Sequence, residues 1–256
     1  MNSLNPFPIA LITDFGNDPY TGIMKGRILQ INPFVNIITL TNHIQNHNIR
    51  QCAFILLKSY HYFPLNTIFL VVVDPGVGSK RRAIAAKFGE YYFVGPDNGI
   101  LTPIQKNEEI TAVQLTIPED ASNTFHGRDV FAPTAARLSQ NYSLSVLGPI
   151  TDLQSSIVFF YDPSASMGEV IFIDHFGNII TNIPYSKDLI VGNQYVISTD
   201  LTEKTVYFRN SYFEGSDIEP FLIVSSFGTL EIAIRNQEAA KILDIKSGNR
   251  IQILPV

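Results

Sequence analysis

The stretch that decides the fold is IFLVVVDPGVGSKR, residues 68–81. It opens with an unbroken apolar run, Ile68 to Val73, which is typical of a buried strand in a parallel sheet. The run ends at Asp74, and the Pro-Gly pair that follows is a turn signal. Ligands of open α/β sheets bind beyond the carboxyl ends of strands, so Asp74 and Arg81 are candidates for a binding site. Asp74 could equally cap the turn by accepting hydrogen bonds from nearby backbone amides.

Upstream of this stretch, predicted strands and helices alternate. Residues 8–13 predict a first buried strand, which ends in a loop rich in Gly, Asn, Asp and Pro, and residues 21–31 have helical periodicity. A strand at 35–40 and an amphipathic helix at 47–60 then lead into the strand at 68–73. This order is typical of an α/β domain with a mostly parallel sheet.

Downstream, the pattern of predicted elements changes after the run DPSAS at 162–166. Before that run, a hairpin is predicted at 83–94 and a helix at 130–139. After it come short alternating segments separated by turns, at 169–174, 179–183, 194–198, 205–209, 220–224, 230–235 and 250–254. Such segments predict a small antiparallel barrel or sandwich. We therefore expect an N-terminal α/β domain at 1–162 and a C-terminal antiparallel β-barrel-like domain at 163–256.

Composition excludes several classes of protein. With 45% hydrophobic and 16% charged residues, the chain is globular, and its net charge of −5 argues against nucleic-acid binding, which needs a basic face. Cys52 is the only cysteine, which excludes an internal disulfide and a cysteine-based zinc site. No apolar run is long enough to cross a bilayer, and the first eight residues lack the features of a signal peptide. We therefore expect a cytoplasmic protein without a membrane partner.

Several polar residues of the first domain could carry chemistry. Asp14 and Asp18 flank a turn after the first predicted strand, where an aspartate can accept hydrogen bonds from both hydroxyls of a ribose. Either one could instead satisfy free amides at the start of the next helix. His126, beside Gly, Arg and Asp, is a candidate general base or a structural histidine. No glycine-rich phosphate-binding motif is present.

Two loops of the second domain offer recognition groups. Asp174, Phe176 and Asn178 lie in a predicted turn, where an asparagine can hydrogen-bond the edge of adenine and a phenylalanine can stack on it. The same residues would also form an ordinary hairpin turn. Ser226 lies in the segment SSFGTL at 225–230, whose hydroxyls and amides suit a small polar group.

A metallohydrolase is a further alternative, because the sequence has enough oxygen and nitrogen ligands for a metal site. The candidate ligands are Asp14, Asp18, Asp74, Asp97, His126 and Asp129. Their spacing matches no metal-ligand motif such as H-E-x-x-H.

Taken together and in order, the polar segments resemble the S-adenosylmethionine (SAM) hydroxide adenosyltransferases. The segments are TDFG at 13–16, VDPGVG at 73–78 with Arg81, GPDNG at 95–99, FHGRD at 125–129, and IDHFGN at 173–178 with TN at 181–182. The resemblance spans about residues 9–236. The family, also called adenosine-forming SAM hydrolases, is related to the fluorinase and chlorinase.

The resemblance implies a fold, an assembly and a reaction. Family members join an N-terminal α/β domain to a C-terminal β-barrel-like domain and form homotrimers. Their substrate lies between the N-terminal domain of one subunit and the C-terminal domain of the next. They hydrolyse SAM to adenosine and methionine, with SAM as substrate and no cofactor or metal.

The resemblance also implies roles for particular residues. The family's water-handling triad falls on Asp74, Arg81 and His126, and the halogenases carry other residue types at the positions of Asp74 and His126. Which member takes the proton stays open, with His126 the natural candidate.

Asp14 would hold the ribose diol, and Asp18 the methionine ammonium, in a loop one residue shorter than in the fluorinase. The remaining substrate-binding residues would be Phe176 and Asn178 at adenine, with Asp174 nearby, and Ser226 and the Arg235 region at the methionine end.

Two other functions remain as alternatives to SAM hydrolysis. The first is a SAM-dependent halogenase, which would not consume SAM without halide. The second is a SAM- or adenosine-binding protein without turnover, which would keep its ligand intact through long incubation.

Overall fold

The strand predicted before Asp74 is present as β3, Ile68–Val72, inside a seven-stranded sheet. The computed structural model describes residues 6–105 and 109–256. The chain divides into two compact units, Met1–Ile157 and Val158–Val256, and this sheet belongs to the first.

The first unit alternates strands and helices in its N-terminal half, as expected. Its other strands are β1 (Ile9–Thr13), β2 (Ile37–Thr41), β4 (Ala83–Phe88), β5 (Tyr91–Pro96), β6 (Ile110–Gln114) and β7 (Ile150–Thr151). Its α-helices are α1 (Tyr20–Ile31), α2 (Ile49–Ser59), α3 (Thr102–Gln105) and α4 (Ala132–Ser139). A π-helical turn at Gly127–Phe131 precedes α4, and 3₁₀ turns lie at Tyr60–Tyr62 and Leu144–Val146.

The strand order of this sheet is β2-β1-β3-β5-β4-β6-β7. The strands β2, β1, β3 and β5 are parallel neighbours, whereas β4, β6 and β7 extend the sheet in antiparallel pairs. The chain goes from β1 to β2 on one side and then returns to β3 on the other side of β1. The carboxyl ends of β1 and β3 therefore form a topological switch point, where α/β sheets bind ligands.

One face of the sheet packs against α1 and α4. Alternate strand residues such as Leu11, Leu70 and Val72 form a fully buried cluster with Met24 of α1 and Ala135 of α4. This packing fixes the strand ends at the switch point, because close-packed cores resist displacement.

The second unit is a closed barrel with the strand order β10-β11-β12-β13-β9-β8-β14. The strands are β8 (Met167–Ile173), β9 (Ile179–Pro184), β10 (Gln194–Ser198), β11 (Glu203–Phe208), β12 (Phe221–Val224), β13 (Thr229–Ala233) and β14 (Arg250–Pro255), with a 3₁₀ turn at Tyr212–Glu214 and a short helix, α5, at Ala239–Leu243. All neighbours are antiparallel except β11 and β12, which are parallel. The predicted fold class, α/β followed by an antiparallel β-barrel-like domain, is confirmed.

Within the described ranges 6–105 and 109–256, no helix is long and apolar enough to cross a membrane.

Candidate active site

The register of β1 and β3 places two predicted site residues at one edge of the sheet. Thr13 lies opposite Val72, so Asp14 and Asp74 follow their strands at neighbouring positions. The Asp14 carboxylate accepts a hydrogen bond from the His47 backbone amide at 2.9 Å. Gly16, at φ +59°, turns the loop so that its amide bonds the Asn42 carbonyl beyond β2. Glycine suits this position because it adopts positive φ without steric cost.

Asp74 and Arg81 form a two-point ion pair across their loop. Arg81 Nε lies 2.9 Å and 3.1 Å from the two Asp74 oxygens, and Nη2 also donates to Oδ2. The two side chains are only 9% and 6% exposed. A Cβ on Gly76 would lie 3.2 Å from Arg81 Cγ, so glycine lets the arginine fold back over the loop.

The Arg81 guanidinium has two further neighbours. Its Cζ lies 5.3 Å from the ring centroid of the buried Phe131, at the end of the π-helical turn. Its Nη1 is buried without a hydrogen-bond partner among the described residues. The aromatic face partly compensates a cation held away from water.

His126 completes this network from the start of the π-helical turn. Its Nδ1 lies 2.8 Å from Arg81 Nη2, and the residue is only 3% exposed. Burial, and then the positive charge of Arg81, lower the pKa of His126, whereas Asp74 and Asp129 act in the opposite direction. The three residues of the predicted triad are therefore in direct contact, in the order Asp74, Arg81, His126.

A cavity of about 480 Å³ opens at this edge of the first unit. Its wall includes Asp14, Asp18, Asp74 and His126 together with the backbone-turn residues Gly16 and Gly127 and the rings of Phe15 and Phe125. Asp18 is exposed, in contrast to the buried Asp74 side chain. The cavity therefore combines carboxylates, a histidine and apolar rings on one surface.

The aromatic part of this wall was not singled out by sequence reasoning. Phe15, Tyr20 and Phe125 contact one another with ring centroids 5.4 to 6.0 Å apart. Phe15 and Phe125 lie within the recognised motifs, but nothing in their spacing along the chain indicated that the rings would meet.

In the second unit, Asp174 organises the turn between β8 and β9. Its Oδ1 accepts from the amides of Phe176 and Asn178 at 2.9 Å and 2.8 Å, and its Oδ2 accepts from Asn178 Nδ2 at 3.0 Å. Asn178 is buried, whereas the Phe176 ring is 74% exposed. The turn thus presents an unusually exposed aromatic ring beside a fixed amide.

Ser226 and Arg235, the other predicted substrate residues, have different surroundings. Ser226 is exposed in the turn between β12 and β13. Arg235 forms a two-point ion pair with Asp217, at 2.7 Å and 2.6 Å, and is 36% exposed. In this arrangement Arg235 fastens the loop at Asp217.

Sequence reasoning missed a buried acid near Asp174. Glu231 lies in β13, is 3% exposed and accepts a hydrogen bond from the Tyr212 hydroxyl. Burial raises its pKa to about 7, the negative charge of Asp174 adds to this, and the Tyr212 hydrogen bond opposes it. The available signal was an acidic residue within the otherwise apolar strand TLEIA.

The six candidate metal ligands do not all line this cavity. Asp97 is bound by Arg82, whose Nε lies 3.0 Å from Oδ2, and Asp129 is bound by Arg128. Across residues 6–105 and 109–256, no group of three His, Cys, Asp or Glu side chains is arranged to hold a metal ion.

An acid, an arginine and a histidine at the switch point of an α/β sheet, beside a cavity, define a site of enzyme type. Comparison with known proteins then gives the family. Models of the SAM hydroxide adenosyltransferase N-terminal and C-terminal domains match residues 9–148 and 168–252. The chain belongs to this family, as its motifs predicted.

Individual relatives cover nearly the whole chain. The (R)-S-adenosyl-L-methionine hydrolase of Methanocaldococcus jannaschii is 36% identical, over 96% of this chain and 95% of its own. A crystal structure of an uncharacterized conserved protein from Thermotoga maritima has a TM-score of 0.90 at 32% identity, covering 96% of this chain and 99% of its own. A fluorinase of Actinopolyspora mzabensis is more distant, at 23% identity over 96% of each chain.

Proposed function

We propose that this protein hydrolyses SAM to adenosine and L-methionine by in-line attack of water-derived oxygen on C5′. The observation that carries the proposal is the Asp74–Arg81–His126 network at the cavity of the first unit. Relatives named as (R)-SAM hydrolases support the same reaction. Their name specifies the (R) configuration at sulfur, and we extend the proposal to that diastereomer as the faster substrate.

The chemistry needs no cofactor in this proposal. SAM carries a positively charged sulfonium, and attack by a hydroxide-like oxygen at C5′ releases a neutral thioether. The opposite charges of the nucleophile and the sulfonium therefore cancel as the transition state forms. A site that excludes bulk water strengthens this attraction. A nucleophile held in line with the C5′–S bond also avoids the entropic cost of a bimolecular encounter.

The substrate-binding roles follow the family motifs. Asp14 has one oxygen on the His47 amide, and its other oxygen bears no protein hydrogen bond among the described residues, which suits a ribose hydroxyl. Asp18 is assigned to the methionine ammonium.

In the second unit, Phe176 and Asn178 are assigned to adenine, with Asp174 as their support, and Ser226 to the methionine end. Arg235 is assigned there too, although Asp217 already occupies the Nε and Nη2 edge of its guanidinium.

We further propose that the protein is a cytoplasmic homotrimer whose sites form between subunits. The proposal rests on the resemblance to the family. The assignment of substrate residues to both units of the chain is compatible with sites formed between subunits.

The test is to incubate the purified protein with each sulfonium diastereomer of SAM, without halide, and to identify the products. Adenosine and methionine in equal amounts support the proposal. SAM that is consumed only when halide is present would indicate a halogenase, and bound but intact SAM would indicate a binding protein. Halide-dependent consumption and intact bound SAM would each contradict the proposed hydrolysis.

A further inference from the structure

We infer that His126 presents a protonated Nε2 to the cavity and donates a hydrogen bond to a nucleophile that arrives as hydroxide from solvent. His126 is then a donor and not the general base. This inference rests on the proposed SAM hydrolysis and specifies its chemistry.

The first step concerns the tautomer of the ring. Arg81 Nη2 lies 2.8 Å from His126 Nδ1. A guanidinium has only donors, so Nδ1 must accept and cannot carry a proton. A neutral imidazole with a bare Nδ1 carries its proton on Nε2.

The second step is that Arg81 cannot turn away from this arrangement. Its Nε and Nη2 are fixed by both Asp74 oxygens, and both side chains are at least nine-tenths buried. The ring of Phe131 lies against the guanidinium on a further side. Rotation would break a buried two-point ion pair, which is strongly unfavourable.

The third step concerns charge around the ring. Arg81 and Asp74 face His126 from the loop after β3, and Asp129 acts from its own helical segment. Asp14, Asp18 and His47 also line the cavity. Burial and Arg81 together lower the pKa of His126, so the ring is neutral at neutral pH, in agreement with the accepting Nδ1.

The fourth step is what this tautomer can do. Its only in-plane lone pair is on Nδ1 and points to Arg81, whereas a general base must offer a lone pair to the proton it removes. Nε2 has no hydrogen-bond partner in the part of the chain that the structure describes, and His126 lines the cavity. A donor at that point stabilises an anionic oxygen more than a neutral water.

The reaction balances without a protein base. Water ionises in solvent, the proton stays there, and hydroxide binds beside Nε2–H. The hydroxide electron pair forms the C5′–O bond as the C5′–S bond breaks and its pair returns to sulfur. The products are adenosine and the neutral thioether of methionine.

The main test is the pH dependence of kcat/KM for the wild-type protein between about pH 6 and pH 9, with enzyme-free SAM at each pH as the blank. Hydroxide capture predicts an increase of about tenfold per pH unit up to about pH 7.7, above which the α-amino group of SAM loses its proton and its contact with Asp18 weakens. A general base predicts a plateau by about pH 7.5, because the pKa of His126 lies below its ordinary value. Such a plateau would overturn the inference.

A pair of substitutions gives a second test. His126→Gln keeps an acceptor and a donor on one planar amide, whereas His126→Leu has neither at similar size. We expect the glutamine variant to retain at least about tenfold more turnover than the leucine variant, with the wild-type pH slope. Equal loss in both, at equal SAM binding, would count against donation.

A third measurement does not depend on turnover. Two-bond ¹H–¹⁵N correlation spectra of histidine-labelled protein report which ring nitrogen carries the proton. We expect the His126 proton on Nε2, with His126→Gln identifying the signal. A proton on Nδ1 overturns the inference even if SAM is hydrolysed, and a protein that does not hydrolyse SAM but has the Nε2 proton refutes only the proposed function.

Discussion

Arg81 is the residue through which the polar groups of the first unit are connected. It contacts Asp74 through two nitrogens and His126 through one of them, while its third nitrogen is buried and has no hydrogen-bond partner among residues 6–105 and 109–256. The neighbouring Arg82 also donates hydrogen bonds, but to Asp97 and to Thr151. Two adjacent arginines thus form two separate networks, of which only the first reaches the cavity. The sequence predicted Asp74 and Arg81 as candidate site residues. Only the structure shows that Arg81 contacts Asp74 and His126, whereas Arg82 binds Asp97.

We expect Arg81→Lys to lower turnover by on the order of 10²-fold, the usual cost of a misplaced catalytic group. A lysine ammonium is a point charge and cannot span both Asp74 and the histidine nitrogen as a planar fork does. Steady-state kinetics at matched folded concentration measure the effect.

The matched control is Arg82→Lys. It should lower the free energy of unfolding by about 1–3 kcal/mol, because a buried hydrogen bond is lost, and leave turnover per folded molecule unchanged. If both variants lose turnover alike, the special role of Arg81 is wrong.

At the scale of elements, strands were predicted better than the turns that carry the site. The buried run before Asp74 and all seven strands of the barrel follow from apolar pattern alone. The π-helical turn at Gly127–Phe131 was expected only as the approach to a helix, since periodicity does not report a single widened turn. In α1, Ile23 is 43% exposed, whereas Met24 is buried. The short strands β6 and β7 and helix α5 gave too little periodic signal to be predicted.

The turn between β8 and β9 depends on Gly177. Its φ is +84°, and a Cβ there would lie 2.5 Å from the Cβ of Glu238. We expect Gly177→Ala to combine a left-handed backbone penalty of about 1–2 kcal/mol with a crowding penalty of about 1–3 kcal/mol. Chemical denaturation measures the sum.

Gly192→Ala separates the two penalties. Gly192 has a similar φ of +88° but no atom within 4 Å of the added Cβ. It should lose only the backbone part. Equal destabilisation by the two substitutions would show that the contact with Glu238 does not constrain the turn.

At the scale of the whole molecule, the two kinds of unit and the family follow from the sequence, because both depend on pattern and motif order. The structure divides the chain after Ile157, a few residues before the expected boundary at 162. Contacts between residues distant in sequence were not predicted: the contact of His126 with Arg81 and the hydrogen bond from Tyr212 to Glu231 come from tertiary packing. Motifs name the residues of a site, but only packing sets their hydrogen bonds and charge states.

The proposed sharing of sites between subunits predicts complementation between inactive variants. Asp14→Ala removes a proposed ribose ligand in the first unit, and Asn178→Ala removes a proposed adenine ligand in the second. After dissociation and reassembly of the mixture, some sites combine two intact halves if each site spans two subunits. We expect activity to return in mixed oligomers and not in either variant alone. Verified mixed oligomers without activity would place each site within one chain.

The most direct test of the central claim is the position of ¹⁸O after turnover of SAM in labelled water. Attack at C5′ predicts that mass spectrometry finds the label in the 5′-hydroxyl of adenosine and none in methionine. With a stereospecifically deuterated C5′, the configuration should invert, because a single in-line displacement leaves no covalent intermediate. Label in homoserine, release of free adenine, or retention at C5′ would contradict the account.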